Sequence, residues 1–248
     1  RPHRAEAGAG QPRDRTPEDA ALSIILWGTL ASLAAGLMTA VGALPVLFGR
    51  IPSARVQDTL LGFAAGVMLA ASFFSLILPS LDAAEDLYGG APWPAIVACL
   101  GVVLGVVAVA ALNETIPHEH FDRGREGPQP TELKRIWLFV IAITIHNFPE
   151  GLAVGVGFGG GDVEAGASLA LGIGLQNAPE GLAVAVSLLG IGYGRVQAVL
   201  IAAATGLVEP LGGAVGVTAV VLAEVLLPWA LAFAAGAMLY VISHEIIP

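Results

Sequence analysis

Two nine-residue strings in this chain share a pattern, thirty positions apart. The first is His146-Asn147-Phe148-Pro149-Glu150-Gly151-Leu152-Ala153-Val154. The second is Gln176-Asn177-Ala178-Pro179-Glu180-Gly181-Leu182-Ala183-Val184. Each places a glutamate deep inside an apolar stretch. An ionisable side chain at membrane depth costs about 2.5–3.5 kcal/mol even on the lenient insertion scale. Two at matching positions imply a partner that offsets the cost. The polar set is one imidazole, three carboxamides and two carboxylates, which suits borderline divalent ions such as Zn²⁺, Fe²⁺, Mn²⁺ or Cd²⁺. Helical spacing gathers each set on one face. His146 and Glu150 are four apart, Asn147 and Glu150 three apart, and Gln176, Asn177 and Glu180 repeat the arrangement. Glutamates can bridge two ions, so the spacing allows two adjacent sites.

Other residues fall in the same layer or at its approaches. Glu209 lies mid-span in a later apolar stretch, followed by Pro210 and two glycines. Met68 lies mid-span in an earlier one, where its thioether offers a soft contact, and core packing is its plainer role. Ser75, seven residues on, is expected on about the same face. Pro149 cannot donate to the carbonyl of Ile145, nor Pro179 to that of Leu175. Both helices are therefore expected to kink and loosen around the site, with Gly151 and Gly181 contributing. Asp82, Glu85 and Asp86 read as a hydrated rim. Asn113-Glu114 and His118-Glu119-His120 read equally well as solvated loop residues or as functional ones.

The elements that position these side chains are membrane helices. The chain is 56% hydrophobic and 12% charged, with a mean hydropathy of +0.79, against about 25% charged in soluble domains. An all-α, polytopic helix bundle in a lipid bilayer follows. Seven stretches are long enough to cross about 30 Å of hydrocarbon: about 20–48, 58–80, 93–112, 135–159, 166–189, 196–222 and 227–247. Residues 1–19 read as a disordered tail, residues 20–248 as the transmembrane domain, and 113–134 as its one long loop. A net charge of −9 excludes a nucleic-acid binder. Cys99 is the single cysteine, so neither an intrachain disulfide nor a thiolate cluster is available.

Orientation follows from Lys and Arg. Outside the tail they are Arg50, Arg55, Arg123, Arg125, Lys134, Arg135 and Arg195, all after spans one, three and five. The loops after spans two, four and six have none. The odd loops, including 113–134, are therefore expected in the cytoplasm and the tail outside. Glu150 then lies about 21–23 Å into a span that starts inside, and Glu180 a similar distance into one that starts outside. The two motifs meet near the midplane in opposite directions. That is the inverted symmetry used by secondary transporters.

On these motifs the chain resembles the ZIP family of divalent metal transporters. His-Asn-x-Pro-Glu-Gly at 146–151 is similar to that family's fourth-helix mark, and Gln-Asn-x-Pro-Glu-Gly at 176–181 to its fifth-helix counterpart. The likeness extends over 20–248. It implies a helical bundle with a metal site between helices four and five, and uptake of zinc-like ions (zinc, cadmium, also iron or manganese) into the cytosol. Residue by residue, it implies a first site of His146, Glu150, Gln176 and Glu180 with Met68. It implies an adjacent second site of Asn147, Asn177 and Glu209, bridged by Glu150 and Glu180. Asp82 would stand at the external entrance, and His244 and Glu245 at the cytoplasmic exit. His118 and His120 would be acceptors in the long loop. The family has eight helices, so one more is expected beyond the seven. The resemblance further implies a bacterial member in the cytoplasmic membrane and a homodimer. Many members have histidine where this chain has Gln176, a departure that bears on metal choice.

The rival reading is an intramembrane zinc-dependent metalloenzyme. That chemistry uses His-Glu-x-x-His on one helix. His244-Glu245 begins such a string, but Pro248 stands where the second histidine is needed. A seven-helix receptor leaves the duplicated Pro-Glu-Gly unexplained.

Overall fold

The computed structural model describes residues 16–115, 118–120, 124–126, 135–190 and 192–243. These form helices α1 (Pro17–Ala43), α2 (Ala54–Ala70), α3 (Leu78–Tyr88), α4 (Trp93–Thr115), α5 (Arg135–Gly159), α6 (Val163–Gly190), α7 (Arg195–Gly206), α8 (Glu209–Leu222) and α9 (Leu227–Val241). Strands β1 (His118–His120) and β2 (Gly124–Glu126) pair antiparallel, with His118 opposite Glu126 and His120 opposite Gly124. The membrane region is all helical, and this small ribbon is the addition. Among the described residues six helical segments are long and apolar enough to cross a membrane. The 25 residues of α5 reach about 37 Å as a further member of the bundle. The protein is an integral membrane protein.

The boundaries depart from expectation where polar residues start or continue a helix. α1 begins at Pro17 because Thr16 and Asp19 form a reciprocal capping box. α6 begins at Val163 rather than 166, since Asp162 Oδ1 accepts from the Ala165 amide at 2.9 Å. The second span does not stop near 80. It runs from Ala54 to Tyr88 as α2, a wider π-type segment over Ala71–Ile77, and α3. Its fully buried residues are Ala64, Met68, Ser72, Leu76, Ser80 and Ala84, one every fourth position. With 3.6 residues per turn a straight α-helix would rotate that series off one face, and the wider turns oppose the drift. The fully buried hydroxyl near Met68 is therefore that of Ser72, which donates to the Met68 carbonyl at 2.9 Å. Ser75 is half-buried, a correction to the expectation that it shares the Met68 face.

The sixth span is not one helix. α7 ends at Gly206 and α8 starts at Glu209, with Leu207 and Val208 in tight turns between them. Pro210 contributes, because it has no N–H to offer the carbonyl of Gly206. The helices that carry Pro149 and Pro179 remain helical throughout.

The most extensive helix pairs are α5 with α8, α1 with α6, and α4 with α9. Close approach of backbones makes them so. A Cβ on Gly151 or Gly155 would fall on the carbonyl of Glu209 or Gly213, and one on Gly181 would fall on the carbonyl of Thr39. Without a hydrophobic driving force in lipid, this close packing of small residues is what joins helices. The glycines after the two motif glutamates thus seat a neighbouring helix, instead of loosening their own. The pairing is also symmetric in kind, since each motif helix is clasped by one partner, α8 for α5 and α1 for α6. At one face of the bundle the Arg195 guanidinium lies 3.2 Å from the position a Gly49 Cβ would take. The loops after the first and fifth spans therefore share a side, as the charge pattern requires.

Candidate metal centre

The two motifs meet. Gln176 Nε2 on α6 donates to Glu150 Oε1 on α5 at 2.6 Å. Asn177 Nδ2, also on α6, donates to Glu209 Oε1 on α8 at 2.7 Å and to the Ala35 carbonyl of α1 at 2.9 Å. A carbonyl can only accept, so the amide nitrogen of Asn177 must face Ala35. Its oxygen then points elsewhere. Glu150, Gln176, Asn177, Glu209 and Asn147 are buried, at 0–3% exposure. His146 and Glu180 are half-buried. Glu150, Glu180 and Glu209 lie close enough to repel one another when charged.

Five buried side-chain atoms among the described residues have no hydrogen-bond partner: Asn147 Nδ2, Glu150 Oε2, Gln176 Oε1, Asn177 Oδ1 and Glu209 Oε2. All five belong to the two motifs or to Glu209. An unpaired buried polar atom normally costs about 1–3 kcal/mol, and native structures leave few of them. Four are acceptor oxygens. Turning the Asn147 amide about its axis would present a fifth. Oxygen-rich sets with an imidazole near them are the donors that borderline and hard divalent ions take. Among the described residues no group of three or more His, Cys, Asp or Glu side chains forms a cage for a metal ion. Three of the seven side chains of the polar cluster are carboxamides (Asn147, Gln176 and Asn177), so its donor count comes from Asn and Gln as well as from the ionisable residues.

The remaining expected residues separate into two groups. Met68 is fully buried on the second span, and Asp82 is exposed on α3 with Glu85 and Asp86. His118 and His120 lie on β1. His244, Glu245 and residues 1–15 lie outside the described residues. Asn113 is a helical residue of α4, buried and donating to the Tyr240 hydroxyl at 3.1 Å. It is a packing residue between α4 and α9, not a solvated loop residue. Four contributors went unread in the sequence: Ser32, the Ala35 carbonyl and Gly36 on α1, and Ser72 on the second span. The available signal was the run of small residues Gly28, Ser32, Ala35, Gly36 and Thr39 at three- and four-residue spacing, all buried.

The family profile described as ZIP Zinc transporter matches residues 118–248. The chain is 46% identical over 221 residues to a protein named Zinc transporter GufA from Myxococcus xanthus, covering 89% of this chain and 87% of that protein. This chain belongs to the ZIP zinc transporter family. A second relative, Zinc transporter ZIPB of Bordetella bronchiseptica, is 49% identical over 90% of this chain and 72% of its own length. Zinc transporter ZIP11 of Homo sapiens is 36% identical over 85% of each. All three names describe transporters, so family membership favours the transporter reading over the metalloenzyme.

Proposed function

We propose that this chain carries zinc and similar divalent ions across the membrane into the cytosol, through the cluster shared by α5, α6 and α8. The observation that carries the reading is the confinement of all five unpartnered buried atoms to that cluster. An ion entering there would be met by His146, Glu150, Gln176 and Glu180, with Met68 beside them, and by Asn147, Asn177 and Glu209. Glu150 and Glu180 are common to both halves, which makes a binuclear centre the natural form. The hydrogen bonds from Gln176 to Glu150 and from Asn177 to Glu209 occupy one oxygen of each carboxylate. A cation would replace those neutral donors; rotation of the Gln176 amide would bring its oxygen inward, while Asn177 Nδ2 stays on the Ala35 carbonyl and its unpartnered Oδ1 is the atom on offer. Cargo charge also relieves the repulsion among the three carboxylates.

Cadmium, ferrous and manganous ions fit the same donors, and Gln176 in place of an imidazole favours a less nitrogen-selective site. The transport unit is 20–248, with the tail 1–19 outside and 113–134 in the cytosol, where His118, His120, His244 and Glu245 would receive the ion. Asp82 would stand at the outer approach. A bacterial cytoplasmic membrane and a homodimer complete the proposal. The test is uptake of Zn²⁺ and Cd²⁺ by purified protein in sealed vesicles. The expected result is saturable uptake by the native chain and none by the Glu150→Ala, Glu180→Ala double variant. Equal uptake by the two would refute the site.

A further inference from the structure

Helix α1 carries no residue of either motif, yet it touches the cluster at its most irregular point. The carbonyl of Glu209 lies between two helices. On one side it meets Gly151, the residue after Glu150, closely enough that a Cβ there would strike it. On the other it accepts a hydrogen bond of 2.7 Å from Ser32 Oγ. Ser32 is fully buried. A Cβ on Gly36, one turn further along α1, would meet the Gly206 carbonyl and come within 3.2 Å of Glu209 Oε1. Ala35, between them, accepts from Asn177. Two positions of α1 therefore hold the broken sixth span, Ser32 by a donor and Gly36 by being small, and a third, the Ala35 carbonyl, holds Asn177 of α6, which itself donates to Glu209.

The break makes this support consequential. Within an unbroken helix the direction of a side chain is set by the turns before and after it. Glu209 opens α8 and follows Leu207 and Val208, so the preceding turns do not fix it. Asn177 holds one oxygen of its carboxylate, and the buried Ser32 hydroxyl holds its carbonyl. We infer that Ser32 is a positioning residue of the transport site: it sets the first turn of α8 and, through it, the direction of the Glu209 carboxylate. Ser32 itself meets no cargo. The inference rests on the reading of Glu209 as a ligand.

The experiment compares Ser32→Ala, Glu209→Gln, the double variant and Ser80→Ala in zinc uptake by vesicles, with thermal unfolding of each purified protein in the absence of metal. Ser80 is the built-in control. It is equally buried and donates to the Pro228 carbonyl at 2.7 Å, remote from the motifs in sequence and in partners. The expected result is that Ser32→Ala raises KM for zinc about three- to tenfold, equivalent to about 0.7–1.4 kcal/mol, the scale of one neutral hydrogen bond. Ser80→Ala should lower the melting temperature to a similar degree with KM unchanged. In the Glu209→Gln background the Ser32 substitution should add nothing further to KM, because the carboxylate it directs is gone. Additive effects in the double variant would make Ser32 a merely structural residue and overturn the inference. So would a wild-type KM from Ser32→Ala while Glu209→Gln is impaired, which leaves the site reading standing. A wild-type KM from Glu209→Gln would remove Glu209 from the site and this inference with it.

Discussion

Substituting Gly151 by alanine tests how tightly the clasp between α5 and α8 governs the proposed metal centre. The new Cβ would lie 2.6 Å from both the Cα and the carbonyl carbon of Glu209, and nearer still to its oxygen. Ordinary contact begins at 3.4 Å, so the two backbones must part by at least about 0.8 Å at that point. No flexible side-chain end can give way, since the obstacle is backbone. Overpacking of this kind typically costs about 1–3 kcal/mol. The functional effect should exceed the structural one. Gly151 adjoins Glu150 in the chain, and the displaced backbone is that of Glu209, so the two carboxylates move apart by a like amount. Metal–ligand distances are met within about 0.2 Å, several times less than the imposed shift. Zinc uptake at a subsaturating concentration should fall at least tenfold in Gly151→Ala vesicles. Gly172→Ala is the matched comparison. It lies on α6, where the nearest atom to a new Cβ is Val67 Cγ1 at 3.8 Å, and it should transport normally. The assay is initial-rate uptake, normalised to inserted protein. Native KM and maximal rate from Gly151→Ala would refute the argument that helix clasp and ligand geometry are one mechanical unit.

Three other expectations follow from the same geometry. His146→Ala and Glu180→Ala should each lower zinc transport at least tenfold with the protein still inserted, whereas Glu209→Gln should be milder because only one half of the centre loses a carboxylate; equal rates at equal expression would contradict the assignment. Metal binding needs ionised carboxylates and a neutral imidazole, so it should release protons, and apparent affinity should fall as pH is lowered from about 7.5 to about 5.5. Titration calorimetry in buffers of different ionisation enthalpy measures both, and a pH-independent affinity without proton release would exclude the linkage. A cysteine placed at Gly127, in a chain whose exposed Cys99 has been changed to serine, should react with impermeant thiol reagents only from the cytoplasmic side. Labelling from outside would invert the topology and the direction of transport.

Much of the membrane architecture could be read without coordinates. Apolar stretches with basic residues in alternate loops point to a polytopic helix bundle, because lipid admits little else than helices satisfied along their own length. Six helical segments among the described residues are long and apolar enough to cross a membrane. The duplicated Pro-Glu-Gly was legible for the same reason, since a carboxylate in an apolar span needs a partner. What could not be read is how helices touch. Proline predicts a lost hydrogen bond, yet α5 and α6 run through Pro149 and Pro179 as helices while the sixth span breaks before Pro210. The difference lies in surroundings, not in the residue. Beside the sixth break stand Gly36, Ser32 and Thr39 of α1, which receive the turned backbone. Ser75 was expected beside Met68 from an ideal periodicity that the wider turns over Ala71–Ile77 do not keep.

The sequence by itself determined the chemistry on offer: which donors exist, that two glutamates stand in repeated motifs on successive apolar spans, and that the chain lives in a bilayer. These follow from composition, spacing and the solvation energy of charge, all of which are local or additive along the chain. Only the tertiary structure decided which of those donors share a space, that Gln176 answers Glu150 while Asn177 answers Glu209, and that α1 packs against the cluster. Those outcomes depend on where one backbone can approach another. That is a property of two helices at once, set by the small residues on both, and no single stretch of sequence specifies it.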